Sequence, residues 1–252
     1  MKLPQQDNYA LGVKLPGPDI EYVPSLKRVR AFLGGKAVAD SRRAVLKRVY
    51  PWMYYFPPDD VNMDYLEAED DDDQDPRLWT VRVGESVAER AAFAFDDDAD
   101  DAPDLSGYIA FKWDQMDAWF EEDEQIHVHP RDPYSRLDAR QSSRHVRIEV
   151  GGETVAETNR PVLLFETNAP ARFYIPPDDV RRKYLVPSDT HTGCPYKGTA
   201  SYYSLQVGDE FIEDAAWYYP FPYPEMGKIQ NLVAFFPKKV DGFYVDGQAW
   251  EE

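Results

Sequence analysis

Cysteine is nearly missing from this chain: Cys194 is the only one among 252 residues. A lone thiol excludes an internal disulfide and a four-cysteine zinc site. It makes a reducing, cytoplasmic home the simplest expectation. Long apolar runs are missing as well. Nothing approaches the roughly 18 to 20 residues that span a bilayer, and residues 1–6 do not begin a signal peptide, so no membrane partner is expected. Positive charge is scarce, with 28 Lys and Arg against 46 Asp and Glu and a net charge of −18. That balance argues against nucleic acid, because phosphate backbones select basic surfaces. No glycine-rich phosphate loop is present, and no glycine-serine turn followed by an Asp-x-Asp pair. No long amphipathic helical period occurs either. Neither a cofactor nor a structural metal is expected.

What the chain does have is a repeat that breaks at one place. Residues 29–46 (VRAFLGGKAVADSRRAVL) align without a gap on 146–163 (VRIEVGGETVAETNRPVL). Residues 55–66 (YFPPDDVNMDYL) align on 174–185 (YIPPDDVRRKYL), and 78–124 run gap-free against 202–248. The mismatch lies between the last two blocks. The second copy carries PSDTHTGCPYKGTAS at 187–201, where the first has only an acid run, EDDDDQDP, at 69–76. One-sided loss of this kind suggests that one copy keeps a site and the other keeps the fold. The expected organisation is an extended, proline-bearing segment over 1–28, a first domain over 29–124 with a degenerate site, a linker over 125–145 and a second domain over 146–252. A hydrophobic content of 43% with 14% aromatic is globular in character. The acid stretches at 67–75, 96–104 and 121–124 read as solvated turns. The run at 70–73 lacks the alternating spacing and the glycine of a calcium-binding EF-hand loop.

Each copy opens with a predicted β-hairpin. Residues 146–150 alternate apolar and polar, Gly151 and Gly152 turn the chain, and 154–158 return. A strand over 161–166 and an aromatic-rich strand over 172–175 follow, matched by 44–48 and 53–56. The PPDDV that comes next suits the start of a helix of about two turns. Residues 202–207 and 211–219, about a Gly208-Asp209 turn, read as a second hairpin. Residues 232–236 and 240–245, about a Pro-Lys-Lys turn, read as a third. The prediction is mostly antiparallel β with one or two short helices per domain.

The phrases SSRHVRIEV, FYIPPDDV, PSDTHTGCPYKGTASYYSL and DAAWYYPFPYPE of the second copy resemble the DUF427 family, a domain of unknown function. The first copy is similar to it through SRRAVL, FPPDDV and GYIAFKWDQMDAW, and HPRDPY looks like the linker of tandem members. The resemblance implies two tandem Mss4-like, or β-tent, domains of antiparallel strands. Relatives in that wider group often hold zinc with cysteine pairs, which this chain lacks. A nucleotidyltransferase label sometimes attached to the family has no counterpart in the motifs present here.

Candidate chemistry gathers in residues 187–201, which read as a connecting loop. Ser188, Asp189, Thr190, His191, Cys194, Tyr196, Lys197 and Ser201 offer donors, acceptors, an imidazole and a thiol, with glycines and prolines shaping the segment. Lys197 suits an anion, or equally a salt bridge to Asp189 or Asp214. His191 and Cys194, three apart, suit a base and nucleophile, although a cysteine is more often a small buried hydrophobe. Tyr203 and Trp217 align with Trp79 and Phe93, which favours shared core. Arg172 and Tyr174 lie two apart on one strand and share a face. Arg172 and Glu166 have no match in the first copy, and their plain reading is a surface ion pair. His127 and His129 lie two apart as some metal pairs do, but no third ligand is evident.

The expected function is therefore small-molecule binding in the second domain, through an aromatic pocket with cationic groups. Arg172, Tyr174, His191, Tyr196, Lys197, Ser201, Tyr203 and Trp217 form its candidate walls, and an anionic molecule is the expected partner. Two alternatives remain. One is a small enzyme in the same pocket, with His191 as acid–base and Cys194 or Lys197 as nucleophile. The other is a structural or interaction module.

Overall fold

The computed structural model describes residues 21–48, 51–69, 76–94 and 105–250. The expectations for 1–20 and for the acid runs at 70–75 and 96–104 lie outside the described residues. The chain forms two compact units, residues 1–132 and 133–252. Their boundary falls inside the stretch read as a linker, and that stretch carries strands of both units.

The first unit is built from β1 (Tyr22–Pro24), β2 (Val29–Leu33), β3 (Lys36–Ser41), β4 (Val45–Lys47), β5 (Met53–Phe56), β6 (Leu66–Ala68), β7 (Arg77–Val83), β8 (Ser86–Ala94), β9 (Ile109–Phe111), β10 (Ala118–Glu121) and β11 (Glu124–Ile126). The second uses β12 (Leu137–Gln141), β13 (Val146–Val150), β14 (Glu153–Thr158), β15 (Val162–Glu166), β16 (Ala169–Tyr174), β17 (Leu185–Cys194), β18 (Gly198–Val207), β19 (Glu210–Tyr218), β20 (Ala234–Phe235), β21 (Gly242–Val245) and β22 (Gln248–Ala249). Strand order is shared. The first unit has a seven-stranded sheet β1-β4-β5-β9-β8-β7-β6 and a four-stranded sheet β11-β10-β2-β3. The second repeats the smaller sheet as β22-β21-β13-β14 and the larger as β12-β15-β16 beside β20-β19-β18-β17. A single bridge between Ile175 and Val233 joins those last two groups, where β5 and β9 pair in the first unit. Antiparallel pairing runs throughout the named strands, as expected for a mostly β, tandem protein.

Alternation explains which faces are buried. Val146, Ile148 and Val150 of β13 are fully buried, with the residues between them only partly so. They meet Leu163, Phe173, Ile175, Leu205 and Phe235 of the larger sheet in one core. The opposite face of that sheet carries a second core of Val162, Leu164, Tyr174, Ala200, Trp217 and Tyr219, covered by Met226 and Ile229. The larger sheet is therefore buried on both faces, so β15 reads as a nearly continuous apolar run.

The Gly-Gly hairpin turns are present. Gly34 and Gly35 have φ of 56° and 72°, and Gly151 and Gly152 have 58° and 77°. Both residues of such a turn need positive φ, which glycine adopts without strain. The first glycine also has no room to grow: a Cβ on Gly34 would lie 2.9 Å from the Val83 carbonyl oxygen.

Three local expectations are corrected. PPDDV does not start a two-turn helix; it splits into single 3₁₀ turns at Pro177–Asp179 and Arg182–Tyr184. Val180 between them is extended and bridges Ala156, which interrupts the helix. Residues 232–245 do not form a hairpin, because β20 pairs with β19 while β21 pairs with β13. The Pro237–Lys239 turn instead carries the chain from one sheet to the other. The segment 187–201 is not a loop: β17 and β18 form a long hairpin closed at residues 195–197, with a register shift between Pro187 and His191.

A polar clasp recurs in both units. Ser41 Oγ donates to Asp60 at 2.6 Å, and Arg43 donates to both carboxylate oxygens, at 3.0 and 2.5 Å. In the second unit Thr158 Oγ1 donates to Asp179 at 2.7 Å, and Arg160 forks onto it at 3.0 and 3.1 Å. The Arg160 fork above all holds the Asp179 carboxyl below the usual carboxylate range; burial opposes it, and Thr158 adds a lesser share. A depressed native value makes this contribution fully present above the unfolded value near pH ~4 and lost as pH falls through the native one. Urea unfolding should therefore show Asp179→Asn less stable than the natural chain at pH 7, with the gap closing as pH falls below the ordinary carboxylate range. A gap that persists undiminished in acid would mean that the carboxylate charge is not what the clasp uses.

Candidate functional site

The hairpin β17–β18 and its neighbour β19 divide the candidate residues between two faces of one sheet. Residues directly opposite each other in antiparallel strands share a face. Tyr202 pairs with Trp217, and Thr192 pairs with Ala200; these lie on the outer face. His191 pairs with Ser201, and Ser201 pairs with Tyr218; these lie on the inner one.

On the outer face, Lys197 Nζ donates to Glu166 Oε2 at 2.5 Å, and the two side chains are only 13% and 21% exposed. The salt-bridge reading of Lys197 thus holds, but its partner is Glu166 rather than Asp189 or Asp214. The pair is largely buried, so Glu166 is not half of a surface ion pair. Asp214 instead sits with Ser188 and Thr190, whose hydroxyls hold its carboxyl below the usual range. The Arg172 guanidinium lies 5.9 Å from the centre of the Trp217 ring, within reach of a cation–π contact. Burial pulls its pKa down, while Tyr174 and Glu166 act in the opposite sense. Trp217 Nε1 donates to Tyr174 Oη at 3.4 Å, and the two rings meet edge-on at 6.3 Å. Burial pushes the Tyr174 phenol upward. Arg172, Tyr174, Lys197 and Trp217 are therefore brought together, but as packed core around a buried ion pair. Cys194 packs against the same core. Tyr196 is half-buried in the closing turn.

The pairing of His191 with Cys194 is overturned. Three residues apart on one strand, they point to opposite faces, so the imidazole cannot take the thiol proton. Lys197, engaged by Glu166 on the outer face, is likewise no nucleophile for His191 to assist. The imidazole contacts Ser201 instead, with Ser201 Oγ 3.2 Å from His191 Nδ1. His127 and His129 do not share a strand face, because β11 ends at Ile126 and Val128 has φ of 76°. His129 stacks on Trp52 at 4.1 Å, and its Nδ1 is bound to the Pro130 carbonyl at 2.7 Å. Among the described residues no group of three or more His, Cys, Asp or Glu is placed to hold a metal. No helix among them is long and apolar enough to cross a membrane.

The inner face holds an open groove of about 530 Å³, lined by Pro177, Arg182, Leu185, Tyr203, Tyr218, Asn231 and Val233. Its size is that of an ordinary ligand site. Tyr203 and Tyr218 stack at 4.8 Å with their planes 16° apart. Burial, then Tyr218, raise the Tyr203 phenol above its ordinary value, and the Arg182 charge lowers it. Ser201 and His191 lie beside the groove on the same face. Of the candidates from sequence, only Tyr203 lines it directly. Tyr218, Arg182 and Asn231 went unrecognised, although the repeat marks each of them. The aligned positions are Ala94, Met63 and Gly107.

A family model described as a domain of unknown function (DUF427) matches residues 21–122 and again residues 138–246. No curated protein matches the chain.

The outer-face ion pair yields a stability test. Lys197→Met leaves the Glu166 carboxylate without its partner in a largely buried place, which should cost about 1–3 kcal/mol in urea unfolding. Adding Glu166→Gln should recover part of that loss. A double variant no better than Lys197→Met would show that the lysine acts through its apolar stem rather than its charge.

Proposed function

The chain belongs to the DUF427 family, as two copies in tandem, and from that premise we propose that its second copy binds a small molecule in the groove beside Tyr203 and Tyr218. The observation that carries this reading is the difference between copies at the groove. Both copies keep the strand order and the clasp, yet Tyr203, Tyr218, Arg182 and Asn231 stand where the first copy has Trp79, Ala94, Met63 and Gly107. A position under packing constraint alone exchanges one apolar residue for another. Three of them, Tyr218, Arg182 and Asn231, put hydrogen-bonding side chains where the first copy has apolar or absent ones, and Tyr203 puts a phenol in place of an indole. Stacked phenols offer a flat apolar surface with polar rims, which suits a planar ligand.

A second reading rests on the contact between Ser201 and His191. A serine hydroxyl within reach of an imidazole is the start of a nucleophile–base pair. It makes the groove the binding site of a small hydrolase, with Ser201 in the place first given to Cys194 or Lys197.

Calorimetric titration with 2-naphthamide, a flat neutral probe, tests the first reading. One saturable site is expected, weakened by about fivefold to tenfold in Tyr218→Ala through loss of the stack. It should be unchanged in Cys194→Ala. Binding that ignores Tyr218→Ala would remove the groove from consideration. Hydrolysis of 4-nitrophenyl acetate tests the second: it requires turnover by the natural chain and its loss in Ser201→Ala.

A further inference from the structure

The groove carries a sign of charge that the rest of the chain opposes. Residues 181–183 read Arg-Arg-Lys in a protein of net charge −18, and the aligned run in the first copy is Asn62, Met63 and Asp64. The three cations are not equivalent. Lys183 Nζ lies over the Tyr184 ring at 4.4 Å, so its charge is spent on its neighbour. Arg181 is exposed outside the groove lining. Arg182 lines the groove, makes no ion pair among the described residues, and stands close enough to Tyr203 to lower its phenol's pKa.

Asn231 lines the same groove and supplies the second donor. It holds φ of 60°, a left-handed conformation in which its counterpart, Gly107, has φ of 74°. Glycine is the least strained residue there, and asparagine is the side chain that tolerates it best while still offering an amide. The second copy thus keeps a hydrogen-bonding group where the backbone alone asks for glycine. Asn231 N donates to the Tyr219 carbonyl at 2.9 Å, which fixes the residue at the groove's edge.

From the unpaired guanidinium, the amide and the stacked phenols in one groove, we infer that the second copy selects a planar aromatic anion, its carboxylate or phosphate held by Arg182 and Asn231 and its ring on Tyr203 and Tyr218. This rests on the groove being a binding site and adds the class of ligand. An arginine fork matches the two oxygens of a carboxylate or phosphate, and its planar head tolerates the neighbouring rings.

The experiment compares 2-naphthoate, 2-naphthyl phosphate and 2-naphthamide on the full chain by calorimetry. The ring is the same in all three, and only the charge of the head group differs. At about 10 mM salt at least one anion should bind roughly tenfold or more tightly than the amide, and the advantage should shrink near 0.5 M as screening shortens. Arg182→Gln should abolish the advantage, so that the three probes bind with similar affinity, while Arg182→Lys restores part of it. The two anions separate carboxylate from phosphate selection. Equal affinity for all three probes, lost in Tyr218→Ala, would overturn the anion inference and leave the groove reading standing. Binding of none of them would overturn both. An anion preference untouched by Arg182→Gln would move the anion site elsewhere.

Discussion

The structure depends on a carboxylate caught at the corner where its two sheets meet. In each unit one strand of the small sheet ends in a hydroxyl residue, Ser41 or Thr158, with an arginine two positions on. Both reach the second aspartate of PPDD. That aspartate closes the single 3₁₀ turn that comes after β5 or β16 of the large sheet. The arginine also returns its own backbone N–H to the hydroxyl, at 2.8 Å for Arg43 and 3.1 Å for Arg160. One fork-shaped contact therefore fixes where a small-sheet strand stops and where the large-sheet chain turns. The next residue, Val61 or Val180, then bridges back to Ala39 or Ala156 and buries itself. A polar contact of this kind contributes direction more than energy. It sets the angle at which two apolar faces close, and the burial behind it supplies most of the stability.

Much of this was legible in the sequence because sheets have a period of two. The alternation in residues 146–150, the Gly-Gly turns and the Gly208-Asp209 turn marked hairpins that exist. What failed to be legible were pairings chosen over distance. The apolar run at 242–245 looks the same whether it pairs with its neighbour or with β13, nearly a hundred residues earlier. PPDDV carries the composition of a helix start, and only the distant partners, the arginine on its second acid and the alanine that its valine bridges, show why it does not propagate. The segment 187–201 hid its strands because a register shift breaks its alternation and its edge position leaves polar residues outside.

The candidate site was half legible for the same reason. Residue types singled out this hairpin, but the faces on which they lie depend on register. Lys197, Arg172 and Trp217 fell on the outer face, and His191, Ser201 and Tyr203 on the inner one. Glu166 was visible as a residue peculiar to the second copy, yet its bond to Lys197 spans 31 positions and no spacing announces it. Tyr218, Arg182 and Asn231 come from three separate segments. Each differs from its aligned residue in the first copy, so a position-by-position comparison of the two copies held the signal that motif reading passed over.

Duplication explains how such a groove can be altered without loss of the fold. The groove lies at the margin of the inner core, where Tyr203 and Leu185 are only partly buried against fully buried neighbours such as Leu205 and Ala216. Substitution there changes the chemistry of the rim and leaves the jigsaw of the core intact. The net charge sharpens this division. A field of −18 repels an anion at a distance, but at physiological salt it fades over about 8 Å. Within that range a guanidinium in the groove acts on a bound head group directly. A negatively charged protein can in this way hold a negatively charged ligand: the global field slows the approach, and the local cation with its aromatic platform determines what stays.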